Sequence, residues 1–120
     1  MRRDAAFLAA ILDSLRDPIL VADTDHVIRY MNRAAITHYE GGEGLIGRSL
    51  LDCHNPTSQQ IIKETLTFLQ TGGEERMISE DGNRRIYMRA VRDPAGRLLG
   101  YYERYEYMTN GGETCPNDSG

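Results

Sequence analysis

Apolar residues recur at helical spacing over residues 5–16, where Phe7, Leu8, Ile11, Leu12 and Leu15 share a face and Asp4 can cap the first turn. Pro18 drives the residue before it out of helical geometry, so a short amphipathic helix is expected to end by Asp17. The runs Pro18–Asp23 and His26–Met31, with Thr24-Asp25 between them, read as two strands of a hairpin. Asn32 is placed to cap a helix over residues 33–38, which Gly41, Gly42 and Gly44 bring to a stop. Asn55-Pro56 supplies a cap and a first helical residue for the longest element, residues 56–71, with Ile61, Ile62, Thr65, Leu66 and Leu69 on one face and Gly72-Gly73 at its end. Residues 74–80 and 84–92 read as strands joined through Asp81-Gly82, and a third strand over residues 97–107 follows Asp93-Pro94-Ala95-Gly96. The Gly, Pro, Asn and Ser of residues 110–120 predict a disordered tail.

This order of helix, two strands, helices and three strands implies an α+β domain, an antiparallel sheet with helices on one face. A chain of 120 residues with 40% hydrophobic content has room for one core. The net charge of −4, with the arginines of residues 76–104 interleaved with acidic side chains, argues against direct nucleic-acid binding. No apolar run approaches the roughly 18 residues that cross a bilayer, and the basic start Met1-Arg2-Arg3 leads into no cleavage site, so a cytoplasmic protein without membrane contact is expected. Cys53 and Cys115 lack the spacing of a disulfide framework or a zinc site. No nucleophile with its base, phosphate loop or supported carboxylate pair is present, and no enzymatic activity is expected.

Asp17-Pro18-Ile19-Leu20-Val21-Ala22-Asp23, followed by Val27-Ile28 and Met31-Asn32-Arg33-Ala34-Ala35, resembles the opening of PAS sensor domains. Gly47-Arg48 and the closing hairpin with Gly96 and Gly100 extend the resemblance over roughly residues 5–109, although Tyr107-Met108-Thr109 stands where many such domains close on Asp-Ile-Thr. The resemblance implies a PAS fold: a five-stranded antiparallel sheet with helices on one face, an N-terminal amphipathic helix over residues 1–16, the PAS domain proper over 17–109 and the tail over 110–120. It also implies a sensor in signal transduction, usually dimeric, with its ligand between sheet and helices. Gly47-Arg48-Ser49-Leu50 has leucine where flavin-binding light sensors of this fold carry their photoreactive cysteine, which argues against a flavin adduct.

Leu51-Asp52-Cys53-His54-Asn55-Pro56-Thr57-Ser58 is similar to the haem-binding PAS domains of carbon-monoxide-responsive transcription regulators. That similarity implies haem b, with His54 as the retained axial ligand and Met77 as a second ligand displaced by a diatomic gas (CO, NO or O2) or by a redox change. A neutral imidazole is a good iron ligand, and a thioether is a soft one that yields to a gas. If Asp81-Gly82 closes a two-residue turn, Met77 faces Ile86, and Met77, Ile86, Met88 and Ala90 point toward the helices, opposite Ile62 and Leu66 of the long helix. Arg76, Ile78, Glu80, Arg85, Tyr87, Arg89 and Val91 then fall on the outer face. Cys53 is the competing ligand for His54, and Met88 for Met77. His26, beside a turn, and His38, near a helix end, are expected on the surface. A histidine at a helix start is equally a capping residue and an inward methionine equally core filling. The alternative is therefore a cofactor-free interaction module. It would dimerise through Leu8, Ile11, Leu12 and Leu15 and through Tyr101, Tyr102, Tyr105 and Tyr107 of the sheet, with a separate signalling partner possible in either case.

Overall fold

A computed structural model describes residues 4–107; the expected tail, Met108, Thr109 and Cys115 lie outside the described residues. In chain order the elements are α1 (Ala5–Asp13), β1 (Leu20–Asp23), β2 (Ile28–Met31), α2 (Arg33–His38), α3 (Pro56–Gln70), β3 (Glu75–Glu80), β4 (Arg84–Arg92) and β5 (Leu98–Tyr107). The five strands form one antiparallel sheet in the order β2-β1-β5-β4-β3, so the first hairpin joins the last strand at the centre. Gly100 permits this, because a Cβ there would overlap the carbonyl oxygen of Ala22 on β1. Leu20, Ala22, Ile28, Met31, Met88 and Tyr101 of the sheet close a core with Ile62, Leu66 and Leu69 of α3 and Ala35 of α2.

The α1 helix stops at Asp13, three residues before the amphipathic pattern runs out. The Ser14 hydroxyl donates to the Ile11 carbonyl at 2.6 Å, and the Asn32 carboxamide takes the Leu12 carbonyl at 2.9 Å, so two carbonyls of the last turn are already satisfied. No side chain of α1 is buried.

The β3–β4 hairpin corrects the expected strand phase. The Asp81 carboxylate accepts from the amides of Asn83 at 2.8 Å and Arg84 at 3.0 Å, which centres the turn on Gly82-Asn83 and pairs Glu80 with Arg85. That shift is by two residues and preserves the faces. A bulge at Ile78 then reverses them, since Ser79 pairs with Ile86 but Met77 pairs with Tyr87. Met77 consequently lies on the outer face, 42% exposed, while Met88 is fully buried on the inner one as expected. Arg76 and Ile78 turn inward instead: the Arg76 guanidinium covers the Phe68 ring at 4.2 Å, and Ile78 packs against the core.

Two further expectations change. His26 is buried rather than superficial, because its positive φ of 67° folds the turn back on the sheet, where Nδ1 meets the Tyr101 hydroxyl at 2.8 Å. Tyr101 and Tyr105 are also buried, on the inner face, so of the four β5 tyrosines Tyr102 and Tyr107 retain most of the accessible surface.

Candidate functional site

A cavity of about 360 Å³ lies between α3 and the distal half of the sheet, at the low end of the roughly 300–1,000 Å³ usual for small-molecule sites. Its helical wall is set by two consecutive caps. The Ser49 hydroxyl accepts from the Leu51 amide at 3.2 Å and starts a short 3-10 turn over Leu50–Cys53; the Asn55 carboxamide oxygen accepts from the Ser58 amide at 2.8 Å and starts α3 at Pro56. His54 sits between them. The Gln59 amide group fixes this corner by donating to the carbonyls of Leu51 and His54, each at 2.9 Å.

His54, Ser58, Ile61 and Ile62 form one wall, and Ile78, Ile86, Glu103 and Tyr105 the other, with His38, Tyr39, Ser79 and Arg84 completing the lining. The His54 Nδ1 lies 2.9 Å from the Leu50 carbonyl oxygen. A carbonyl only accepts, so the ring proton belongs on Nδ1, and Nε2 is left for another partner. Of the side chains expected at a site, His54, Ile62 and Ile86 line the cavity; Leu66, Met88 and Ala90 belong to the core beneath it, Cys53 is exposed, and Met77 is on the other side of the sheet.

Glu103 is the residue that sequence reasoning missed. It lies on β5 between Leu20 of β1 and Met88 of β4, both fully buried, and its own exposure is 5%. Its carboxylate accepts from the Tyr39 hydroxyl at 3.2 Å, and the Tyr39 and Tyr105 hydroxyls are in turn hydrogen-bonded to each other. Burial pushes the Glu103 carboxyl above the usual carboxylate range, against the opposing pull of His54 and of the Tyr39 hydrogen bond. Burial also raises the hydroxyls of Tyr39 and Tyr105, with the Glu103 charge adding to both, so both keep their protons. The signal was present: in the alternation of residues 101–107, Glu103 shares its face with the buried Tyr101 and Tyr105.

These residues do not fit haem. His54 has the carbonyl-oriented ring of a metal ligand, but Met77 faces away, and a buried carboxyl and two tyrosine hydroxyls line a cavity whose walls would have to be apolar for a porphyrin. Among the described residues no group of three or more His, Cys, Asp or Glu is arranged to hold a metal ion, and no helix is long and apolar enough to cross a membrane.

The model of the PAS fold family matches residues 6–101. No curated protein matches the chain. Among solved structures, a C-terminal domain from Streptococcus mutans is 22% identical with a TM-score of 0.71, covering 88% of this chain and 85% of that one. The PAS domain of BvgS from Bordetella pertussis is 18% identical with a TM-score of 0.66, covering 88% and 86%. The Aer2 receptor from Vibrio cholerae, described as a dual PAS-heme oxygen sensor, is 17% identical with a TM-score of 0.53, covering 78% and 95%. At these identities the likeness is one of fold.

Proposed function

The chain belongs to the PAS family, and from that premise we propose that it is the sensory part of a signalling protein, one that responds to a small polar molecule held between α3 and the sheet. The observation that carries this reading is the cavity of about 360 Å³ with the buried Glu103 in its wall. A merely structural core would close over an apolar residue there, because burying a carboxyl with a single donor costs about 1–3 kcal/mol. The strand holding Glu103 is the central β5, which pairs with both β1 and β4, so occupancy of the cavity bears directly on the sheet. No catalytic step is assigned to it.

The test is mass spectrometry of small molecules released from the purified, folded protein, together with the same measurement on Ile78→Trp, which fills the cavity. The expected result is a near-stoichiometric organic compound in the first sample and none in the second. Equal amounts in both would place the compound elsewhere and end this reading.

Haem-based sensing of a diatomic gas rests on His54 alone. The expected outcome of adding haem is free-haem absorption; a sharp Soret band that shifts with carbon monoxide and disappears in His54→Ala would restore that reading. Dimerisation through α1 has its own support in Phe7, Leu8 and Ile11, exposed on a helix that buries nothing, and in the exposed Leu15 just beyond its end.

A further inference from the structure

We propose that the cavity selects a small planar nitrogen base that presents N–H donors on one edge, as an amidine does, with Glu103 as its anchor and His54 Nε2 as its second acceptor. The inference rests on the reading of this cavity as a ligand site and adds the chemical class.

It follows from counting protons at the cavity wall. Tyr39 has one hydroxyl proton, which it donates to Glu103 Oε1. In the hydrogen bond between the two tyrosine hydroxyls, Tyr105 must therefore be the donor and Tyr39 the acceptor. Both phenolic protons are thus committed. Glu103 Oε2 receives no donor among the described residues, although the side chain is 95% removed from solvent. The Nδ1 proton of His54 is committed to the Leu50 carbonyl, which leaves Nε2 as the ring nitrogen available to a ligand. The cavity accordingly offers the Glu103 carboxyl, which a cationic ligand would hold in its ionised, acceptor form, together with an imidazole nitrogen and the hydroxyl oxygen of Tyr105.

Donors in the lining are few. Arg84 is the one arginine or lysine there, and its guanidinium is drawn aside, 5.2 Å from the Tyr105 ring centre and 3.9 Å from the Asp81 carboxylate. Ser58 and Ser79 add hydroxyls, and His38 adds an imidazole. A carboxylic acid or a phosphate would meet the buried Glu103 carboxyl with one displaced guanidinium and these neutral donors to receive it, an unfavourable approach in a site of reduced dielectric. A protonated base supplies the missing donors and the missing charge together, and Ile62, Ile78 and Ile86 offer flat apolar contact to the body of a ring.

Three isosteric probes separate the classes: benzamidine, benzamide and benzoate, titrated calorimetrically against the whole chain and mapped by amide chemical shifts. The expected order is benzamidine first, benzamide weaker and benzoate absent, with shifts centred on Tyr39, His54 and Glu103. Glu103→Gln, which keeps the shape of the side chain, is expected to weaken benzamidine at least tenfold and to bring it level with benzamide. Ile78→Trp is expected to abolish all three, and it serves as the control if Glu103→Gln does not fold. Binding of benzoate at or above the affinity of benzamidine, or benzamidine binding unaffected by Glu103→Gln, would overturn the class while leaving the ligand site standing. Failure of all three probes, with no compound released from the purified protein, would overturn the site and the class together.

Discussion

The Asn32 carboxamide donates to the Leu12 carbonyl at 2.9 Å across 20 positions of sequence, and this bond ties the end of α1 to the start of α2. The same fully buried side chain donates to the Asp17 carbonyl at 3.1 Å and accepts from the amides of Ile19 and Ala35, each at 2.9 Å. All four of its hydrogen-bonding positions are used, two of them on the residues that flank Pro18. Asn32→Ala should cost about 2–4 kcal/mol, the sum of a lost cap and several orphaned backbone groups. Urea denaturation measures the total, and hydrogen exchange should show α1 losing its protection first.

The pH dependence of stability should change sign according to which groups titrate. Glu103 titrates near its ordinary value of about 4.3 when unfolded and higher when folded. Between those values the folded protein holds the extra proton, so this group makes stability fall as pH rises through the interval. His26 works in the opposite direction: burial lowers its folded value, and its contribution climbs toward its ordinary value of about 6.5. Asp23, Glu75, Asp81 and Asp93 are held below the carboxylate range by their hydrogen bonds and arginine partners, so their contribution is present above that range and lost in acid. Comparing Glu103→Gln with the parent isolates the first effect. The variant should gain stability relative to the parent as pH rises from about 4 to about 8, and a constant difference across urea titrations would contradict the buried carboxyl.

The bulge at Ile78 assigns different roles to two methionines. Met88→Ala removes a fully buried side chain and should cost about 2–5 kcal/mol. Met77→Ala, on the outer face beside Tyr87, should stay within about 0.5 kcal/mol and leave the cavity untouched. A large loss at Met77 would mean that the hairpin pairs without the bulge.

That bulge marks where sequence pattern stops being enough. The caps at Asp4, Asn32 and Asn55 are each read from one side chain and its neighbours, and each forms as expected. The order of strands and helices follows from turn residues of the same local kind. The face on which Met77 lies depends on one extra residue in a strand, and a period of two carries no record of an insertion until the partner strand is in place. His54 is singled out by the resemblance carried by residues 51–58, and its corner is built by those residues and their immediate neighbours. Tyr39 and Glu103 come from elements 64 positions apart, and only the assembled sheet brings them together.

The exposed face of α1 leads to a prediction about assembly. Phe7 is 64% exposed, and Leu8 and Ile11 are exposed with it on a helix attached to the domain chiefly through Tyr30 and Asn32, with Leu15 exposed just beyond its end. Fully burying one such side chain is worth about 1.5–3 kcal/mol, so pairing this face with a second copy would offset much of the cost of association. Self-association should therefore be lost in the Leu8→Glu, Ile11→Glu double variant, while the urea stability of the monomer moves by less than about 0.5 kcal/mol per site. Sedimentation equilibrium distinguishes the outcomes. A parent protein that remains monomeric at high concentration, or a double variant that still dimerises, would remove α1 from the interface and leave Tyr102 and Tyr107 as the accessible tyrosines of β5.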